Sequence, residues 1–462
     1  MTLSLVPRPD ETIEGAGRAL REGRTTCVGL VERCLAAIEE WEPRVRAWVL
    51  VDREGALSQA RRLDDELKAG RDLGPLHGIP IGVKDIIDVE GLPTAAGASR
   101  WSKGPAKSDA DLVAKYRAAG AVLLGKTVTT PYAYIDPPPT RNPWDLGRTP
   151  GGSSSGSAAA VATGMCLGAL GTQTAGSLTR PAAYCGVASY KASRSDDSLR
   201  LGIVPLAPSL DTTGCMARTV GDLFAMYCGR HTVSLPARFA RIDTSGPPRL
   251  GRLRGLFDDR AEPAMRDALD RACQAWREAG AEVVDWDHPV DWAPILQASR
   301  TIMATESAIV HGDRWTADPD DYPERISGLI REGSSIRATD YARALSLASG
   351  SLFSDRPSES LGTPDLQSLG WFHRDHRSGF ATWVVPATTG PAPGTETTGD
   401  AVFNAPWTFL GHPTISLPIG LSPDGLPLAA QLVGATEGGL NLFSTAAWCE
   451  RVIRTRLESE RG

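Results

Sequence analysis

Pro150-Gly151-Gly152-Ser153-Ser154-Ser155-Gly156-Ser157-Ala158-Ala159-Ala160-Val161-Ala162, followed by Gly171-Thr172-Gln173-Thr174-Ala175-Gly176-Ser177, is the stretch on which the reading of this chain turns. No charged residue lies between Arg148 and Arg180. A membrane span is excluded, because seven glycines and many Ser and Thr between Thr149 and Thr179 leave few large apolar side chains. The composition fits a buried element of small residues, where glycines allow backbones to approach closely and hydroxyls need partners or a task. Upstream, Gly78-Ile79-Pro80-Ile81-Gly82-Val83-Lys84-Asp85 reads as a turn and a short apolar strand ending on a lysine.

Helical periodicity flanks these pieces. Val28, Val31, Cys34, Leu35 and Ile38 mark one helix, with Thr25 or Thr26 as cap, and Ala56, Ala60, Leu63 and Leu67 mark a second. Asp109 is placed to cap a helix carrying Leu112, Val113 and Tyr116, and Ala121–Leu124 reads as the next strand. Glu262–Val284 reads as helix then strand. Phe380–Pro386, Ile415–Pro418 and Ala429–Val433 read as strands, and Gly438–Arg454 as a closing helix. Ser234–Pro248, Ser349–Leu369 and Pro391–Asp400 read as loops. Helices alternating with short apolar strands imply an α/β protein with a covered sheet. No internal repeat or linker is visible, so residues 1–462 are expected to form one domain. Its parts are N-terminal helices over about 1–70, a core over about 75–226, a variable stretch over about 230–380 and a return to the core over about 380–455.

With 49 Lys+Arg against 55 Asp+Glu the net charge is −6, and no long basic run offers a nucleic-acid surface. The eight cysteines are scattered, with no CxxC pair, as expected of buried thiols in a reducing compartment. No signal peptide and no membrane span is legible, so a cytoplasmic protein is expected. The seven histidines (77, 231, 288, 311, 373, 376 and 412) carry no clear chemistry. His373 and His376, spaced i, i+3, fit a solvated helix face better than a metal site lacking a third ligand. Neither metal nor organic cofactor is expected.

The Gly-Gly-Ser-Ser and Thr-Ala-Gly-Ser runs, the Gly-Val-Lys84 strand and the C-terminal Asn404-Ala405-Pro406-Trp407, Gly411-His412-Pro413 and Leu417-Pro418-Ile419-Gly420 pieces together resemble the amidase signature family. The likeness runs from about Cys27 to Met226 and from about Phe380 to Val452, and is weak between. It implies an α/β/α sandwich around a central mixed β-sheet. It also implies a Ser–cis-Ser–Lys triad with Ser177 as nucleophile, Ser153, preceded by a cis peptide bond, as bridge, and Lys84 as base. A homodimer is a family-level expectation.

That assignment makes chemical sense. A serine hydroxyl needs a base, and a lysine serves as one only when desolvation makes it neutral. Ser153 can relay the proton between Ser177 and Lys84. The backbone N–H groups of Thr174, Ala175, Gly176 and Ser177 can form an oxyanion hole. The expected reaction is hydrolysis of a carboxylic amide C–N bond in a small molecule, through an acyl-enzyme on Ser177. Two alternatives share the triad: the glutaminase-bearing subunit of a tRNA-dependent amidotransferase, and a pathway-specific acyl-transferring enzyme. A third, an α/β-hydrolase using Ser154 within Gly152-Ser153-Ser154-Ser155-Gly156, lacks the required preceding strand.

Asp85 is expected to be a salt-bridged turn residue and Arg180 a structural one. Gln173, Pro131, Cys215 and the run Lys191–Asp197 depart from the family pattern and leave local loop geometry open. The acyl side of the substrate is expected to be read between Trp292 and Trp383, where Trp315, Trp371, Phe372, Arg325 and Arg331 are the notable side chains.

Overall fold

The computed structural model describes residues 3–459 apart from 103, 198, 232–241, 245, 288–290, 350–381 and 437–438. Eleven strands form one sheet: β1 (Trp48–Val51), β2 (Pro80–Lys84), β3 (Val122–Thr127), β4 (Gly168–Gln173), β5 (Ala188–Lys191), β6 (Thr212–Ala217), β7 (Arg249–Leu253), β8 (Glu282–Trp286), β9 (Thr382–Pro386), β10 (Thr414–Leu421) and β11 (Pro427–Gly434). Their order is β1-β3-β2-β4-β6-β5-β10-β11-β9-β7-β8. The sheet is mixed: β2 runs parallel to β3 and β4, and β7 parallel to β8 and β9, while the other pairs are antiparallel. Helices pack against it, giving the α/β architecture read from the sequence.

Every residue of β2, β3 and β4 is buried. This is why they read as near-continuous apolar or small-residue runs rather than alternating ones. The uncharged run becomes the helix Ser155–Ala162 plus β4, both wholly buried. The helix is made of Ser, Gly, Ala and one Val because there is no room for more. A Cβ on Gly156 would lie 2.1 Å from the Ala47 carbonyl oxygen and 2.4 Å from the Val128 nitrogen.

Local predictions hold at several points. Thr26 caps the helix Cys27–Val45 by accepting from the Gly29 N–H at 2.9 Å. The helix Arg53–Lys68 buries Ala56, Ala60 and Leu63. The helices Pro263–Glu278 and Gly439–Ser459 lie where the periodicity puts them. Asp109 is a correction. The helix Asp111–Ala118 starts after Ala110 with no side-chain cap. The Asp109 carboxylate instead pairs with Arg117 at 2.6 Å and accepts from the Glu90 N–H at 2.8 Å, because an arginine two turns along outcompetes the helix end for its charge. The loops read over 234–248 and 349–369, and the side chains of His288, His373, His376, Trp371 and Phe372, fall largely or wholly outside the described residues. No helix among the described residues is long and apolar enough to cross a membrane. All eight cysteines are unpaired, and seven are buried.

Candidate active site

Strand direction assembles the site. β2 and β4 are parallel, so Lys84 ends its strand on the same sheet edge from which β4 runs into Thr174–Ser177. β6 is antiparallel to β4, so the residue that leads into it, Asp211, lies on that edge too. The cis peptide bond implied before Ser153 is present between Gly152 and Ser153. Arg180, fully buried, donates to the Gly152 carbonyl at 2.8 Å and to that of Gly399 at 2.9 Å, which is the structural role expected of it.

Lys84 Nζ donates to Ser153 Oγ and to Thr172 Oγ1, each at 2.8 Å. Asp85 turns away and pairs with Lys126 at 3.0 Å, and among the described residues no carboxylate forms an ion pair with Lys84. Burial pushes the Lys84 pKa down to about 7, against a smaller pull upward from the Asp211 carboxylate. Lys84 and Ser153 are 0% exposed, whereas Ser177 is 7% exposed, so Ser177 is the most accessible residue of the three. The main chain next to Ser153 is tied to Ser177 by a bond of 3.3 Å from the Ser154 N–H to the Ser177 carbonyl. Among the described residues no hydrogen bond links the Ser153 and Ser177 hydroxyls.

The loop after β4 is tied by its carbonyls. The Ala175 oxygen accepts from Thr408 Oγ1 at 3.1 Å, that of Gly176 from the Arg180 N–H at 2.9 Å, and that of Ser177 from Ser154. Among the described residues none of the Thr174, Ala175, Gly176 or Ser177 N–H groups has an acceptor. Gln173, a departure from the family pattern, organises the same loop. Its Oε1 accepts from the Leu178 and Thr179 N–H groups at 2.9 and 3.0 Å, and its Nε2 donates to Thr408 at 3.1 Å. Gly176 is required by Asn404, whose Oδ1 would lie 2.7 Å from an added Cβ. Ser154, the rival nucleophile, is 0% exposed and donates back to the Thr172 carbonyl at 3.3 Å.

Thr172, Asp211 and Thr408 have no assigned role at the level of sequence. Thr172 sits inside the quoted motif, but only the fold shows its hydroxyl on Lys84. Asp211 and Thr408 arrive from distant segments, and no spacing announces them. Of the side chains expected to read the acyl group, the Trp315 indole is spent on Ser327 and Arg331 on Glu324. Arg325 donates to the carbonyls of Ile135 and Glu396.

A family model described as Amidase matches residues 29–346. The chain belongs to the amidase family. It is 32% identical, over 95% of its length and 96% of the relative's, to a glutamyl-tRNA(Gln) amidotransferase subunit of Salinispora tropica. A solved amidase superimposes with a TM-score of 0.83 at 28% identity, covering 95% of this chain and 99% of the other. The peptide amidase of Stenotrophomonas maltophilia gives 0.78 at 27% identity, with coverage of 96% and 97%. As a family member this amidase is an enzyme of amide C–N bonds.

Proposed function

We propose that this amidase hydrolyses a small carboxylic amide through an acyl-enzyme on Ser177. The observation that carries the reading is Lys84 Nζ, buried, free of carboxylate contact and 2.8 Å from Ser153 Oγ. Neutral Lys84 draws the Ser153 proton as Ser153 takes that of Ser177. Ser177 Oγ then bonds to the amide carbon, and the carbonyl oxygen becomes an oxyanion facing the N–H groups of Thr174–Ser177. The proton returns through Ser153 to the leaving nitrogen as the C–N bond breaks. Water, deprotonated by the same route, releases the acid and restores Ser177. No step calls on a metal or organic cofactor.

A second reading, the glutaminase subunit of a tRNA-dependent amidotransferase, is favoured by the Salinispora relative, which aligns over nearly its whole length. The test is ammonia release from a panel of primary amides, glutamine included, by the chain alone and by its Ser177→Ala and Lys84→Ala variants. Turnover by the isolated chain, lost in both variants, supports the stand-alone amidase. Glutamine cleavage that requires co-purified partner subunits supports the second reading. No ammonia from a folded chain with or without partners sinks both. The mass of the purified chain in solution checks the expected homodimer.

A further inference from the structure

Asp211 turns its carboxylate inward, and the reaction above does not use it. One of its oxygens accepts the Thr174 hydroxyl at 2.5 Å. The other accepts the Leu206 and Ala207 N–H groups at 2.8 and 3.1 Å. Thr174 is the first residue of the loop whose N–H groups face the site. Asp211 also lines, together with Thr172, a cavity of about 320 Å³ between β4 and the loop 200–213. Thr172 is the side chain that holds Lys84 Nζ. Asp211 therefore reaches both halves of the machinery, the oxyanion loop by its hydrogen bond to Thr174 and the base through the cavity it shares with Thr172.

The geometry points to Asp211 as a positioning residue: it fixes Thr174, and hence the oxyanion loop, and its charge acts on the ammonium of Lys84. This rests on the function proposed above. Few other charges compete. Arg200 donates to the carbonyls of Pro208 and Asp211 and lines the same cavity. Glu306, from the helix Ala293–Ala317, accepts the Ser209 N–H at 2.8 Å, and Arg194 lies further out on the adjoining surface with Arg200. Burial raises the Asp211 pKa to about 6, so the group is ionised over the range in which Lys84 loses its proton.

Phenylmethylsulfonyl fluoride supplies a readout independent of amide turnover. Ser177 Oγ attacks the sulfur, the S–F bond breaks, fluoride leaves and the serine proton passes to the base. The rate of mass gain at Ser177, followed from pH 5 to 9, gives a midpoint for the base and a plateau for the loop. In Asp211→Asn the midpoint falls by about half a pH unit or more, because Lys84 loses its stabilising negative charge. In Thr174→Val the plateau falls about tenfold, since the oxyanion donors are displaced rather than deleted. Thr174→Ser restores the plateau. A midpoint that stays put in Asp211→Asn, or a Thr174→Val plateau equal to wild type, overturns the inference. A wild-type chain not sulfonylated at Ser177 overturns both this inference and the proposed function. Sulfonylation without cleavage of any amide overturns the function alone, and Asp211 is still judged by the two profiles.

Discussion

Two fully buried lysines on adjacent strands show what suits one of them to the proposed role of base. Lys126 has Asp85 at 3.0 Å and stays an ion-pair partner. Lys84 has hydroxyls instead, so burial acts on it without a contacting carboxylate. A third lysine, Lys191 on β5, is also pushed down to about 7, yet it donates to the Ala192 carbonyl. A lowered pKa alone therefore does not make a base; a serine must stand at its nitrogen. The proposed mechanism requires neutral Lys84, so kcat/KM should rise with pH through a midpoint near 7 and lose nothing on going from pH 8 to 9 by this group. A profile that falls between pH 6 and 8 would contradict the base. Lys84→Ala should lower kcat by about 10²–10⁴-fold with thermal stability kept or increased, because a buried amine is removed. Thr172→Val should lower kcat about tenfold with KM little changed, because Nζ loses one of two hydroxyls that aim it, while Thr172→Ser should recover it. A Thr172→Val enzyme with wild-type kcat would show that Ser153 alone orients the amine.

The helix Ser155–Ala162 explains why the fold could be read from one run of sequence. Its face toward β1 and β3 carries no side chain larger than the gap allows, and Gly156 marks the tightest approach. Gly156→Ala should cost about 1–3 kcal/mol or more, seen as a lower urea midpoint with unchanged slope. A midpoint equal to wild type would mean that the backbones at Ala47 and Val128 can part freely. The same segment carries the cis-linked Ser153 at its head and leads through β4 to Ser177, so composition, fold and the residues of the proposed triad were legible together. Asp109 shows where such reading stops. An acid before a helix looks like a cap, but its partner was settled by Arg117 and by the Glu90 backbone from another segment. Asp211 and Thr408 escaped for the same reason. Their roles depend on which strands lie side by side, and β6 and the Asn404–Thr408 turn reach β4 only through long crossovers.

At the scale of the molecule, acids turned inward set how stability changes with pH. Asp222, in the helix Val220–His231, accepts the Glu14 N–H at 3.1 Å, and Glu450, in the closing helix, accepts the Val220 N–H at 2.9 Å. The two carboxyls thus fasten the N-terminal helix Ile13–Arg21 and the C-terminal helix Gly439–Ser459 to one central helix. Burial raises both to about 7 from ordinary values near 4, and the Asp222 charge pushes Glu450 the same way. The folded chain therefore holds protons that the unfolded chain has already released. Their contribution is complete below pH 4 and is lost as pH rises toward 7. His311, pushed down to about 4 by burial, acts in the opposite sense between pH 4 and 6.5. Lys84 and Lys191 add stability only as pH rises above 7. The clean measurement is a difference. The unfolding free energy of wild type minus that of an Asp222→Asn, Glu450→Gln chain, taken at pH 4.5, 5.5, 6.5 and 7.5, cancels the histidine and lysine contributions. That difference should fall steadily with pH, since the amides have no proton to lose. A difference flat across the four values would mean that both acids ionise in the folded chain as they do in the unfolded one, and that the junction of the two terminal helices holds its charge without cost.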